Sequence, residues 1–465
     1  MSPRPMRNSN KRNDPVPAKG SPVVSEPIPL KEGEVVNSSS GPQLVRGMRD
    51  ILPSEKRLWD RVWRASQLEF ESREYDRIET PIMEEASLFQ RSIGRVTDII
   101  EKEMYVFEDP GGSRVALRPE ATASIARAYI RHGMVSLPQP VRLWYWGPMF
   151  RHDRPQAGRY RQFFQSGAEV VGEQHPVVDA QVIMTAIAIV RRSGLDPLVS
   201  INSTGCKMCR PQYIEQLVAY YRTRRSQLCQ DCKKRLVRNP LRLLDCKEEQ
   251  CKSVKGEAPQ IVDSLCPECK DHFVRVLEYC DELEIPYQLS SSLVRGLDYY
   301  TKTVFEVYER TEGAGRQDAL GGGGRYDGLL ELLGGRPTPG IGFSLGVDRI
   351  VNALKEKQTD VAPGAAIEGA PQIFFAQLGE QARRQAIVLV ERIRQEGISV
   401  AEQFSKDGLK GQLERANRLG VRYTVILGQK EVLDGTVLVR DMEGGVQEII
   451  DRQKLVEMLK KKLAT

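Results

Sequence analysis

The chain has 465 residues, enough for two or three domains with cores of their own. It is 40% hydrophobic and 28% charged, an ordinary globular balance, and no run of 18 apolar residues exists to form a membrane-spanning helix. The formal net charge of +6 suits a phosphate-bearing partner without specifying one.

Residues 1–43 are rich in Pro, Ser and Asn and contain no aromatic residue, so they are expected to form a disordered tail. From residue 44 the pattern changes. Ser54 is a candidate helix cap, followed by a stripe of Leu58, Val62, Ala65 and Leu68 at spacings of three and four. Tyr75, Arg77 and Glu79 alternate into Thr80-Pro81, which reads as a strand. Further strands are predicted around Met104–Phe107 and Val115–Arg118, then a helix over ATASIARAYIRHG that Gly133 can end.

Next come two strand-like runs joined by an arginine-rich turn, VRLWYWGPMF and RQFFQSGAE. Period-2 alternation places Trp144, Trp146, Pro148 and Phe150 on one face, and Tyr145, Gly147, Met149 and Arg151 on the other. On the return strand Arg161, Phe163, Gln165, Gly167 and Glu169 share a face: a cation, an aromatic plate, an amide, a gap and a carboxylate. Such a surface suits a small ligand with phosphate, ring and amine parts. A helix over Val178–Arg192, a strand at Leu198–Asn202, and strands at Tyr287–Leu289 and Thr303–Tyr308 follow. The glycines of GGGGRYDGLLELLGG read as a loop, and GIGFSLGVDRIVNALK as a strand running into a helix. Beyond a linker at 358–371, strands and helices alternate, as expected of a separate small α/β domain.

Eight of the nine cysteines fall in CKMC, CQDC, CKEEQC and CPEC, namely Cys206, Cys209, Cys229, Cys232, Cys246, Cys251, Cys266 and Cys269. Paired cysteines without a signal peptide favour structural Zn²⁺ over disulfides and a cytoplasmic setting. Two Cys₄ sites account for all eight; reduced, buried thiols are the alternative.

Several residues can carry chemistry. Glu120 and Thr122 of RPEAT offer a carboxylate and a hydroxyl for an ammonium group, with Gln165 as a further acceptor; the alternative is a box at the N-terminus of a helix. Arg151 can hold a phosphate bidentately, or stand as a solvated charge. Arg295 adjoins Gly296, where backbone can approach a ligand, and Tyr299 and Tyr300 add phenols that otherwise serve as core or rim. Arg349 lies early in a helix after a strand. The glycine run is not GxGxxG, no P-loop is present, and four histidines with no nucleophile arrangement fit a reaction whose nucleophile is already ionised.

Taken together, GMRD at 47–50, Thr80-Pro81, RPEAT at 118–122, FRHDRPQAGRYRQF at 150–163, VRGLDYY at 294–300 and GVDR at 346–349 resemble the bacterial histidyl-tRNA synthetase family from about Leu44 onward. The resemblance implies an α+β catalytic domain with a class II synthetase antiparallel sheet at 44–203 and 286–357. It also implies a Cys-rich insertion at 204–285 and an α/β anticodon-binding domain at 372–465. ATP with Mg²⁺, L-histidine and tRNA(His) are the implied partners, in a homodimer built around residues 56–81. By the same resemblance Arg151 holds the α-phosphate, Phe163 stacks on adenine, and Arg349 covers the nucleotide. Glu120, Thr122 and Gln165 hold the α-amino group. Glu169 and Tyr300 read the imidazole beside Tyr299, and Arg295 neutralises charge as the substrate carboxylate attacks. The tip residues Arg154, Gln156 and Arg159 are left for the tRNA acceptor end. Ala121 departs from the family's RPEGT pattern. A silent regulatory paralogue, a class II synthetase for another amino acid and a free-standing zinc nucleic-acid module are the rival readings.

Overall fold

A computed structural model describes residues 42–94, 97–153, 158–310, 319–357, 371–405 and 408–463. Nearly all of the tail and linker, and the tip residues Arg154 and Gln156, lie outside the described residues. The chain divides into two compact units, Met1–Gln358 and Thr359–Thr465.

The first unit opens with α1 (Pro53–Glu71), β1 (Asp76–Arg77), β2 (Met83–Glu85), α2 (Ala86–Ser92), β3 (Val106–Glu108), β4 (Arg114–Leu117) and α3 (Thr122–Arg131). The hairpin β5 (Val141–Phe150) and β6 (Gln162–Val171) follows, then α4 (Pro176–Ser193) and β7 (Pro197–Ser203). Four helices come next: α5 (Arg210–Thr223), α6 (Gln230–Arg238), α7 (Glu249–Gly256) and α8 (Pro267–Glu282). The unit closes with β8 (Tyr287–Leu289), β9 (Thr301–Glu309), β10 (Gly321–Arg325), α9 (Leu329–Leu332), β11 (Gly340–Gly346) and α10 (Val347–Lys357). Its main sheet has the order β1-β5-β6-β11-β10-β9-β7-β8, antiparallel except where β1 meets β5 and β7 meets β8.

Alternation along β5 gives the sheet two different faces. Trp144 stacks on Phe70 of α1 at 5.1 Å and belongs with Ile183 and Ile187 of α4 in one core. Tyr145 and Met149 point the other way, into a second core with Tyr299, Tyr300 and Tyr326. Helices therefore back the sheet and leave its other face to carry a site. α1 begins at Pro53, whose fixed φ suits a first helical position, and no side chain caps it, so Ser54 is not the cap. Its buried side is Trp59, Val62, Ser66 and Phe70, while Leu68 stays 53% exposed. The bulky aromatic residues, with the most apolar area to bury, set the helix rotation.

The glycine run forms β10, a strand inside the sheet, where the sequence reads as a loop. A Cβ on Gly321, Gly322 or Gly323 would lie 2.3, 2.4 and 2.0 Å from the carbonyl oxygens of Ser344, Phe305 and Gly342. Close approach of both neighbouring strands requires glycine there, against its low strand propensity. At the end of β10 the fully buried Arg325 clasps Asp179 of α4, donating from Nη2 to Oδ2 at 2.5 Å and from Nε to both oxygens at 3.1–3.2 Å. His272 of α8 meets the same carboxylate at 3.1 Å. Burial opposes the charge on Asp179, and Arg325 outweighs it, holding the carboxyl below its ordinary range. Phe273, Val276 and Cys280 bind α8 into the same core as α4. Tyr213, Leu217, Tyr221 and Leu236 form a separate cluster among α5 and α6.

The second unit contains β12 (Ile373–Gln377), α11 (Glu380–Gln395), β13 (Val400–Glu402), α12 (Leu409–Leu419) and β14 (Tyr423–Leu427). It continues with α13 (Gln429–Asp434), β15 (Thr436–Asp441), β16 (Gln447–Asp451) and α14 (Leu455–Leu463). Strand order is β13-β12-β14-β15-β16, parallel across the first three and antiparallel beyond. The alternating part was expected; the antiparallel pair β15–β16 adds to it. Among the described residues no helix is long and apolar enough to cross a membrane.

Removing one partner of a buried ion pair strands the other charge, so Arg325→Leu should cost about 3–5 kcal/mol of unfolding free energy in denaturant titrations. A loss within experimental error would show that the pair does not hold α4 to β10.

Candidate active site

A cavity of about 1010 Å³ opens on the face of the main sheet away from α1 and α4. Residues from β6, β9, β11 and the start of α10 line it, together with the loop before β9 and the segment between α2 and β3.

At the inner end, Glu169 of β6 is 1% exposed. Its Oε1 accepts from the Thr122 hydroxyl at 2.7 Å and its Oε2 from the Tyr326 hydroxyl at 2.6 Å. Burial pushes its pKa up to about 8; the two hydroxyls pull it down and the charge of Glu120 raises it further. Room for this carboxylate comes from Gly342, where a Cβ would fall 1.7 Å from Oε2. Gly167 likewise leaves space, since a Cβ there would meet the Phe343 carbonyl at 2.4 Å and the Tyr145 hydroxyl at 2.5 Å.

Glu120 takes the form of a helix N-terminal box. Its oxygens accept from the backbone N–H of Thr122 at 2.7 Å and of Ala123 at 3.0 Å, at the first turn of α3. Burial raises its pKa, and those N–H donors resist the shift. Tyr299 reaches it from the loop before β9 at 3.5 Å, and the Tyr299 and Tyr300 rings lie 4.8 Å apart. Gln165 faces the same space with Oε1 buried and unpartnered. Glu120, Thr122, Gln165, Glu169, Tyr299 and Tyr300 therefore converge, and Tyr326 joins them. Nothing in the sequence marks Tyr326 beyond the run of glycines before it.

Three arginines of the lining stand beside that end, among carboxylates such as Glu103, Asp153 and Glu306. Arg151 is anchored through Nε to the Pro119 carbonyl at 2.9 Å, with its guanidinium 5.4 Å from the centre of the Phe163 ring. Arg349 donates to the Ala319 carbonyl at 2.5 Å. Arg295 pairs with Glu306 at 2.5 Å, and its Nε is buried without a partner. Burial disfavours the Arg295 charge, but Glu306 outweighs it and keeps the guanidinium more basic than usual. Arg161 does not join this group: it turns away to the Arg46 carbonyl at 3.0 Å and lies against Gly47.

The eight cysteines gather into two sets, Cys206, Cys209, Cys266 and Cys269, and Cys229, Cys232, Cys246 and Cys251, with all sulfurs of a set within 4.8 Å of one another. No disulfide joins them. Three sulfur pairs, Cys206–Cys209, Cys206–Cys266 and Cys229–Cys246, lie at 3.8–3.9 Å, the edge of roughly 3.8 Å expected for a tetrahedron with Zn–S of ~2.3 Å. Backbone N–H groups also point at the sulfurs, Met208 at Cys206 and Cys232 at Cys229, each at 3.3 Å. The donor set fits a thiolate-bound metal.

Residues 47–350 match the family profile described as histidyl-tRNA synthetase, and residues 372–462 that of an anticodon-binding domain. The chain belongs to the histidyl-tRNA synthetase family. It is 46% identical over 416 residues to a histidine--tRNA ligase of Desulforamulus reducens, covering 89% of this chain and 98% of that one. It is 44% identical over 422 residues to one from Dehalococcoides mccartyi, covering 90% and 100%. The apo histidyl-tRNA synthetase of S. aureus superposes with a TM-score of 0.75 at 36% identity, covering 90% of this chain and 99% of that one. The mostly antiparallel main sheet is the class II synthetase sheet expected from the resemblance.

With a folded-state pKa near 8 against an ordinary 4.5, Glu169 keeps a proton in the native state that the unfolded chain has released. Its contribution to stability is full below the unfolded value and is lost as pH rises through about 8. Unfolding free energy of the wild type should therefore fall more steeply between pH 5 and 8 than that of Glu169→Gln, by up to about 1 kcal/mol per pH unit. Parallel curves would contradict the assignment.

Proposed function

We propose that this cavity activates L-histidine with ATP and that the chain then charges tRNA(His), as a histidine--tRNA ligase. The observation that carries the reading is that the buried carboxylates Glu120 and Glu169 and the arginines Arg151, Arg295 and Arg349 line one cavity. The α-ammonium group is read by Glu120, Thr122 and the unpartnered Gln165 oxygen, and the imidazole by Glu169 and Tyr300, with Tyr299 lining the pocket. Apolar or small side chains have no use for that buried polar pair, which disfavours a class II synthetase for another amino acid. The nucleotide lies along the arginines, adenine on Phe163, the α-phosphate on Arg151 and the distal phosphates on Arg349.

A histidine carboxylate oxygen attacks the α-phosphorus, and the bond to the departing pyrophosphate oxygen breaks in line, its electron pair leaving with pyrophosphate. Arg151 and Arg295 stabilise charge on the pentavalent centre; orientation and fixed charge supply most of the acceleration. A terminal ribose hydroxyl of tRNA then attacks the acyl carbon, the acyl–phosphate bond breaks with its electron pair on AMP, and the hydroxyl proton passes to the departing phosphate. Mg²⁺ neutralises the ATP phosphates when bound, and Glu306 is an oxygen donor lining the same cavity. The cysteine sets each hold one structural Zn²⁺. Residues 372–465 bind the anticodon, and 204–285 form the insertion between the catalytic segments 44–203 and 286–357. Arg159 faces the acceptor end; Arg154 and Gln156, assigned the same duty, lie outside the described residues. A homodimer around residues 56–81 would cover Leu68, Ile82 and Met83, which stand 53%, 44% and 53% exposed. The free thiols suit the cytoplasm. A silent regulatory role is disfavoured because Arg151, Arg295 and Arg349 all line one cavity and the anticodon-binding match is present.

ATP–pyrophosphate exchange should require histidine among the amino acids, and Arg295→Ala should abolish it while the circular dichroism spectrum is unchanged. Exchange without histidine refutes the substrate; near-normal exchange by the variant refutes the role of Arg295.

A further inference from the structure

The two cysteine sets differ in what they hold. Cys206 and Cys209 sit on a tight knuckle between β7 and α5, whereas Cys266 and Cys269 flank and begin α8. Gly205, at φ +63°, turns the chain so closely that a Cβ would lie 2.7 Å from the Cys209 sulfur. That knuckle grips the start of β9. The Gly205 carbonyl accepts from Lys302 N–H at 2.9 Å, and the Lys302 carbonyl accepts from Thr204 N–H at 2.7 Å. Arg210 adds a clamp, donating to the Tyr300 carbonyl at 2.5 Å while its other bonds go to Thr204 and Gly205 at 3.0–3.2 Å.

The opposite half of the set is tied to the same place by a different route. Glu268, between Cys266 and Cys269, meets Lys302 Nζ at 3.0 Å, and Lys302 holds a strained φ of +50°. Further along α8, His272 reaches the Asp179–Arg325 pair, and the residue after Arg325 is Tyr326, bonded to Glu169. α8 itself is fixed in the main core by Phe273, Val276 and Cys280. The second set meets the same loop further upstream: Asn239 donates to Asp298 at 3.1 Å, while Arg235 and Arg242, both ahead of Cys246, bind Asp98 at 3.3 and 3.1 Å.

We propose that the metal held by Cys206, Cys209, Cys266 and Cys269 is a brace for histidine recognition, joining the core-anchored α8 to the knuckle that positions Tyr299 and Tyr300. This rests on the zinc reading given above. With the metal bound, knuckle and helix are one body, and the Tyr300–Lys302 backbone is held from both sides. Without it, four thiols within 4.8 Å have no common centre, and the clamp has lost its fixed end. Arg210 is then a positioning residue, acting on the pocket through the Tyr300 backbone.

The test uses the full chain purified without chelator, with zinc counted by elemental analysis and KM measured separately for histidine and ATP. The expected content is two zinc ions per chain. Cys266→Ser should lose one and raise the histidine KM about tenfold or more, a usual effect of disturbing groups around a metal site, with the ATP KM within about twofold. Arg210→Gln leaves every thiol in place, so it should keep both zinc ions yet show the same rise in histidine KM; it also keeps the test open if Cys266→Ser does not fold. Wild-type protein without zinc overturns the metal reading itself. Zinc present, with histidine KM unchanged in Arg210→Gln, overturns the brace alone.

Discussion

Glu169 sits at 1% exposure with a neutral hydroxyl on each oxygen, from Thr122 and Tyr326. Neutral donors soften the cost of burying a carboxylate but leave much of it, and the nearby Glu120 adds repulsion. The inner end of the cavity is therefore poised for a ligand that brings donors of its own. The surrounding structure accommodates that demand: Gly342 and Gly167 remove the Cβ atoms that would fill the space, and β10 carries Tyr326 past the carboxylate on a strand of glycines.

The arginines follow the opposite logic. Arg151 and Arg349 each donate to a backbone carbonyl, at Pro119 and Ala319, which fixes their direction. Donors held in place before a ligand arrives keep reorganisation on binding small. Arg295 stands between the two regimes, paired with Glu306 yet with an unpartnered Nε. Arg325 resembles these residues in sequence but is structural, its charge consumed by Asp179.

What could be read from sequence follows the range of each interaction. Alternation along β5 and β6 is local, so the shared face of Phe163, Gln165, Gly167 and Glu169 was legible, as was the two-by-four grouping of cysteines from their spacing. Arg161 obeyed the same alternation but was drawn off by the Arg46 carbonyl, more than a hundred residues away in the chain. Gly321–Arg325 hid a strand because glycine is selected there by contact with two neighbouring strands, a property of the assembled sheet. With that strand hidden, Tyr326 and the Arg325–Asp179–His272 cluster stayed hidden too. The partition of the cysteines, with 229–251 nested inside 206–269, likewise emerges only from the folded chain.

Desolvated carboxylates matched to a donor-rich amino acid are the core of the account, and binding in the absence of ATP isolates them. The decisive measurement is the calorimetric affinity for L-histidine of Glu169→Gln beside the wild type. Above about pH 8, where the Glu169 carboxyl is ionised and accepts a charge-assisted bond from the imidazole, its replacement by an amide should weaken binding about tenfold or more. Equal affinity for the two proteins would contradict it.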